Sequence, residues 1–167
     1  MALKENLLAS LKKAMQGEMD SVTLYKNAAA HSADREVKDF FTARGEEEKR
    51  HFNYLLKYYQ EISSDLLPSD MPGELKAFQD MNPIFSGSFL KRIGEDQYLF
   101  SAISTALLLE KDAIVHYRKC AEETDNLTLQ SFYNLLISWE QVHYDDLLSI
   151  QKEAESYYWE INQFEPF

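Results

Sequence analysis

The chain has a single cysteine, Cys120, among its 167 residues. A disulfide framework and a thiolate metal site are therefore both excluded within one chain. Glycine and proline are scarce too, at five and four residues. Pro68, Pro72 and Pro83 share one interior stretch and Pro166 closes the chain, so the remainder is free to be helical. Basic residues are outnumbered: 17 Lys and Arg stand against 28 Asp and Glu, a formal net charge of −11. That balance argues against nucleic-acid binding and against an anionic membrane surface, since both reward clustered cations. Long apolar runs are missing as well. The greasiest stretch, Ala106 to Leu109, is cut off by Glu110 and Lys111, and the opening Met-Ala-Leu-Lys-Glu-Asn has no apolar core. Neither a membrane span nor a signal peptide is expected, and a cytoplasmic location fits the lone cysteine.

Apolar residues recur at alternating steps of three and four, the period of an amphipathic helix. The first stripe reads Leu7, Leu11, Met15, Glu18, Val22, Tyr25, Ala29, and the second Val37, Phe41, Arg44, Glu48, His51, Leu55, Tyr59, Ile62. A third runs Leu99, Ile103, Ala106, Glu110, Ala113, Tyr117, Cys120, and a fourth Leu129, Tyr133, Leu136, Glu140, His143, Leu147, Ile150, Ala154. In each stripe a Glu, or a Glu and a His, stands where a core leucine belongs. Buried carboxylates without partners are costly, so something cationic must compensate them if the helices pack through these positions.

These polar positions repeat. Glu18, Glu48 and His51 are matched, 92 residues on, by Glu110, Glu140 and His143. The repeat extends to Val22 with Ile114, Tyr25 with Tyr117, Ala29 with Ala121, and Phe41 with Tyr133. Residues three apart share a helix face, so each Glu/His pair forms a two-toothed clamp. The lone Glu of each half precedes its clamp by 30 residues, and polar turn signals lie at both midpoints, Ser32-Ala33-Asp34 and Thr124-Asp125-Asn126. Folding back at those turns returns the lone Glu and its clamp to equal depth, roughly 22 Å from the turn at 1.5 Å per residue. Two such hairpins make a four-helix bundle with two metal ions inside.

The expected architecture is one all-α domain over residues 1–167. Hairpins span 4–62 and 95–156, a long crossover 63–94 joins them with a short helix at Glu74 to Asp80, and an aromatic tail fills 157–167. A crossover of that length makes the second and third long helices parallel.

Four glutamates carry about four negative charges, two divalent ions carry four positive, and neutral imidazoles complete the shell. Oxygen-rich ligation with one nitrogen per ion suits iron or manganese, and zinc also fits such a site. The bland alternative is a duplicated bundle whose glutamates are hydrogen-bonded polar core. Glu46 and Glu47 crowd Glu48, but their counterparts are Ser138 and Trp139; Glu48 is therefore the expected ligand and the other two a solvated face. Tyr25 and Tyr117 lie two turns beyond the lone glutamates, positioned to hydrogen-bond a carboxylate from across the bundle. His31 and His116 lack the clamp spacing and are read as non-ligands.

The doubled Glu…Glu-x-x-His pattern resembles the rubrerythrin branch of the ferritin-like di-iron carboxylate proteins over about residues 4 to 156. The resemblance implies a ferritin-like fold, two iron ions held by Glu18, Glu48, His51, Glu110, Glu140 and His143, and support from Tyr25 and Tyr117. It implies an oxidoreductase of oxidative stress that reduces hydrogen peroxide or dioxygen, and, together with the long apolar stripes, a homodimer. Two departures stand out. The rubredoxin-like module with its Cys-x-x-Cys motifs is missing, so an external electron donor such as a rubredoxin-like protein is required. Ala113 occupies the position where peroxide-active members commonly carry an extra glutamate, which bears on peroxide turnover. The missing rubredoxin-like module keeps iron binding and buffering as the alternative. A structural or interaction protein is the third reading.

Overall fold

The computed structural model describes residues 2–69 and 85–163. Over those residues the chain forms five helices and no strand: α1 (Ala2–His31), α2 (Arg35–Ser63), α3 (Gly87–Glu95), α4 (Gln97–Glu123) and α5 (Leu127–Ile161).

Both hairpin turns fall where the polar triplets predict them, at residues 32–34 and 124–126. The two turns use the same chemistry. Ser32 Oγ accepts from the Asp34 amide at 3.2 Å, and Thr124 Oγ1 accepts from the Asn126 amide at 3.3 Å. Asp34 then caps α2 by accepting from Val37 N at 3.0 Å, and Asn126 caps α5 by accepting from Leu129 N at 3.0 Å. Each side chain satisfies an amide that the first helical turn leaves without a partner.

The hairpin partners α1 and α2 pack together, as do α4 and α5, and the hairpins meet through α1 and α4. Tyr25 reaches Glu110 while Tyr117 reaches Glu18, so α1 and α4 run antiparallel. With each hairpin also antiparallel, α2 and α4 run the same way, as the long crossover requires. Two apolar clusters fill the bundle. One is built around Tyr25, Phe41, Ile103, Leu147 and Ile150, the other around Leu11, Leu55, Tyr117, Phe132 and Leu136. The repeated glutamates and histidines lie along the helices between them.

Two boundaries differ from expectation. The crossover proposed for 63–94 contains a helix of its own, α3, capped by Ser86 Oγ accepting from Phe89 N at 3.0 Å. At nine residues it is too short to display a repeating stripe, although Phe89, Leu90, Ile93 and Gly94 form one buried face. It packs on α5 so closely that a Cβ at Gly94 would lie 2.4 Å from the Ala154 carbonyl oxygen. The aromatic tail also begins as helix, because Tyr158 stacks on Phe100 with ring centroids 4.3 Å apart and carries α5 to Ile161. The helix expected at Glu74 to Asp80, and Phe164 and Phe167 of the tail, lie outside the described residues. Among the described residues no helix is long and apolar enough to cross a membrane.

Candidate metal centre

All six repeated residues converge at mid-bundle. Glu18 comes from α1, Glu48 and His51 from α2, Glu110 from α4, and Glu140 and His143 from α5. Each is at most 5 % exposed. They form two overlapping groups, Glu18, Glu48, His51, Glu140 and Glu48, Glu110, Glu140, His143, and within each the donor atoms lie no more than 4.8 Å apart. Glu48 and Glu140 belong to both. The arrangement has the twofold character of the sequence repeat, with one lone Glu and one His at each end and the two clamp glutamates between.

The imidazoles turn Nδ1 toward the carboxylates. His51 Nδ1 lies 2.9 Å from Glu140 Oε1 and 3.2 Å from Glu48 Oε2, and His143 Nδ1 lies 2.9 Å from Glu48 Oε1 and 3.3 Å from Glu140 Oε2. Those separations suit hydrogen bonds, but the directions do not. Glu48 Oε1, both Glu140 oxygens and both Nδ1 atoms are buried without a properly aligned partner. Hydrogen-bonded polar core, the bland alternative, would point these atoms at one another. Here they gather instead in two groups whose donor atoms lie within 4.8 Å of one another, a spacing at which each group could hold a cation.

The protonation preferences fit a site that waits for positive charge. Burial, followed by the Glu140 charge, raises Glu18 well above the usual carboxylate range, and burial with Glu48 and Glu140 does the same to Glu110. Burial also pushes against ionising Glu48, yet the His143 and His51 imidazoliums outweigh it and hold that carboxyl well below normal. Burial and the Glu48 charge act against Glu140 too, but the same two imidazoliums bring it down to about 2. Both histidines are raised well above their ordinary value, because the carboxylates overcome a burial cost that alone would lower them. Two carboxylates and two imidazoliums thus balance inside the metal-free bundle.

The tyrosines occupy the positions expected of them. Tyr25 donates its phenol proton to Glu110 Oε1 at 2.7 Å, and Tyr117 donates to Glu18 Oε1, each across the α1/α4 contact. Burial and the adjacent glutamate raise both phenols well above their ordinary value, so they stay protonated and remain donors. His31 pairs with Asp96 at 2.9 Å, and His116 with the Ser10 carbonyl oxygen at 3.0 Å. Neither belongs to the cluster, as their spacing implies.

One expectation fails. Glu47 is no solvated face: it lies 3.0 Å from His143 Nε2 and accepts from Arg44 Nη1 at 3.0 Å. Arg44 in turn donates to Asp146. The visible signal was Arg44 itself, a cation in an otherwise apolar stripe, which burial obliges to find acidic partners. Asp146, three residues beyond His143, supplies one of them.

The model of the family described as Rubrerythrin matches residues 9–151, a span that includes both hairpins and all six converging residues. The chain belongs to the rubrerythrin family. Neither the curated proteins nor the solved structures yield a match. Rubrerythrins are ferritin-like helical proteins that bind a di-iron centre, and in this rubrerythrin the buried Glu/His cluster is able to hold metal.

Proposed function

We propose that this rubrerythrin is a di-iron carboxylate oxidoreductase that reduces hydrogen peroxide or dioxygen using an external electron donor. The observation that carries the reading is the pair of four-residue groups sharing Glu48 and Glu140. Glu18, Glu48, His51 and Glu140 would hold one ion and Glu48, Glu110, Glu140 and His143 the other, with Glu48 and Glu140 common to both groups. Manganese or zinc would accept the same donors.

Iron held by these residues would supply the redox chemistry that reduces the oxidant. The chain's own side chains do the rest. Once ionised, the four carboxylates neutralise two divalent ions at a depth where unbalanced charge is costly. Tyr25 and Tyr117 fix the orientation of Glu110 and Glu18 and hold a proton at each phenol oxygen, one hydrogen bond from a carboxylate. The apolar clusters on either side limit water at the site. Electrons would come from an external donor, for which a rubredoxin-like protein is a fitting candidate. A cytoplasmic homodimer reducing oxidants under oxidative stress is the setting we infer.

The test is peroxide consumption by iron-loaded protein with a reductant, compared with a Glu48→Ala, His51→Ala variant. Fast turnover only in the parent supports the reading, and equal rates overturn it. A second reading, iron binding and buffering without catalysis, is favoured by Ala113, which leaves six side-chain donors and no extra carboxylate from α4. Two retained ions with peroxide consumption no faster than in the variant would select it.

A further inference from the structure

The sequence repeat allows the two ends of the centre to be compared residue by residue, and they are not equivalent. At the His143 end, Nε2 lies 3.0 Å from Glu47 Oε2. Glu47 is tied to Arg44 at 3.0 Å, and Arg44, 8 % exposed, is held in turn by Asp146. At the His51 end, the positions 92 residues away from Glu47, Arg44 and Asp146 are Trp139, Leu136 and Tyr54. Trp139 stacks on the His51 ring with centroids 4.9 Å apart and planes 17° from parallel. Leu136 is fully buried. Among the described residues the ion pairs of His51 all run through Nδ1, the atom that faces the centre.

A carboxylate accepting from the outer nitrogen of an imidazole does two things to the inner one. It fixes the tautomer, so that the Nδ1 lone pair faces inward, and it makes that nitrogen a better electron donor. The Arg44–Asp146 pair keeps Glu47 from swinging toward solvent. Stacking on an indole orients His51 but supplies no acceptor charge.

We propose that Glu47, positioned by Arg44 and Asp146, makes the His143 end the tighter metal position, so that the centre fills in a fixed order with the Glu110/His143 end first. The inference rests on the dinuclear reading of the site. Glu47 is a positioning residue here, acting through His143.

The test is an anaerobic titration of the metal-free chain with Co(II), followed by its visible absorption and by calorimetry. Mutual repulsion of two cations separates the steps in any dinuclear centre, so the deciding observation is which residues govern the first step. The expected results are a Glu47→Gln variant with first-step affinity weakened ten- to hundredfold, partial recovery in Glu47→Asp, retention of the tight step in His51→Ala and its loss in His143→Ala. Asp146→Asn acts through Arg44 and weakens the same step by a smaller factor, which keeps the test decisive if Glu47→Gln fails to fold by circular dichroism. A tight step that survives in both Glu47→Gln and Asp146→Asn, or that disappears in His51→Ala and persists in His143→Ala, would overturn the proposal. Uptake of fewer than two ions by the parent chain would remove the dinuclear reading along with it, whereas two ions taken up with a first step weakened equally by His51→Ala and His143→Ala would remove the filling order alone.

Discussion

Loading the centre with metal should expel protons, and the number is set by the site's protonation. Without metal, His51 and His143 are held protonated by the surrounding carboxylates, and Glu18 and Glu110 are held protonated chiefly by burial. Glu48 and Glu140 are already ionised. All six must be deprotonated to ligate, so two divalent ions displace about four protons, two from imidazoles and two from carboxyls. The same six groups with ordinary pKa values would release only about one proton at about pH 6.5, half from each imidazole. The four groups with raised pKa values compete with metal while protonated, so affinity climbs as pH rises and levels off above those values. With two protons displaced per ion, the climb approaches about a hundredfold per pH unit. Calorimetric titration with Zn(II) in buffers of different protonation enthalpy counts the protons. Release of about one proton for two bound ions would refute the reasoning, because the site would then be pre-ionised and its charges relieved in some other way.

Replacing Tyr25 or Tyr117 with Phe removes one buried hydrogen bond to a neutral carboxyl group, and each should cost about 0.5–1.5 kcal/mol in urea unfolding of the metal-free protein; no measurable loss in either variant would contradict the cross-bundle bonds. Gly94→Ala places a methyl 2.4 Å from the Ala154 carbonyl oxygen and 2.7 Å from Tyr157 Cβ. Overpacking at that contact should cost about 1–3 kcal/mol in the same assay, and a neutral result would mean that α3 does not sit against α5 as described.

The bundle was legible because period and repeat agree. Apolar residues at steps of three and four gave four long helices, and the 92-residue offset distinguished Glu48 from its neighbours, since Glu48 is matched by Glu140 whereas Glu46 and Glu47 are matched by Ser138 and Trp139. The same logic hid Glu47. Setting the halves against each other finds what they share, and Glu47, Arg44 and Asp146 belong to one half alone. Helix α3 escaped for a different reason: its buried face of four residues in a nine-residue helix is too brief for periodicity to register, and its place is fixed by contact with α5. The turns needed no tertiary information, because Asp34 and Asn126 cap through bonds to amides three residues away.

On the proposed reading these six buried side chains would hold two ions, with Glu48 and Glu140 common to both positions. Anaerobic Fe(II) titration followed by metal analysis tests it most directly, with Glu48→Ala and Glu18→Ala variants beside the parent chain. The expected result is two ions per parent chain, loss of both when Glu48, common to both groups, is removed, and at least one retained when Glu18, which belongs to one group, is removed. A parent chain that retains no iron, or equal retention in the parent and in Glu48→Ala, would contradict it.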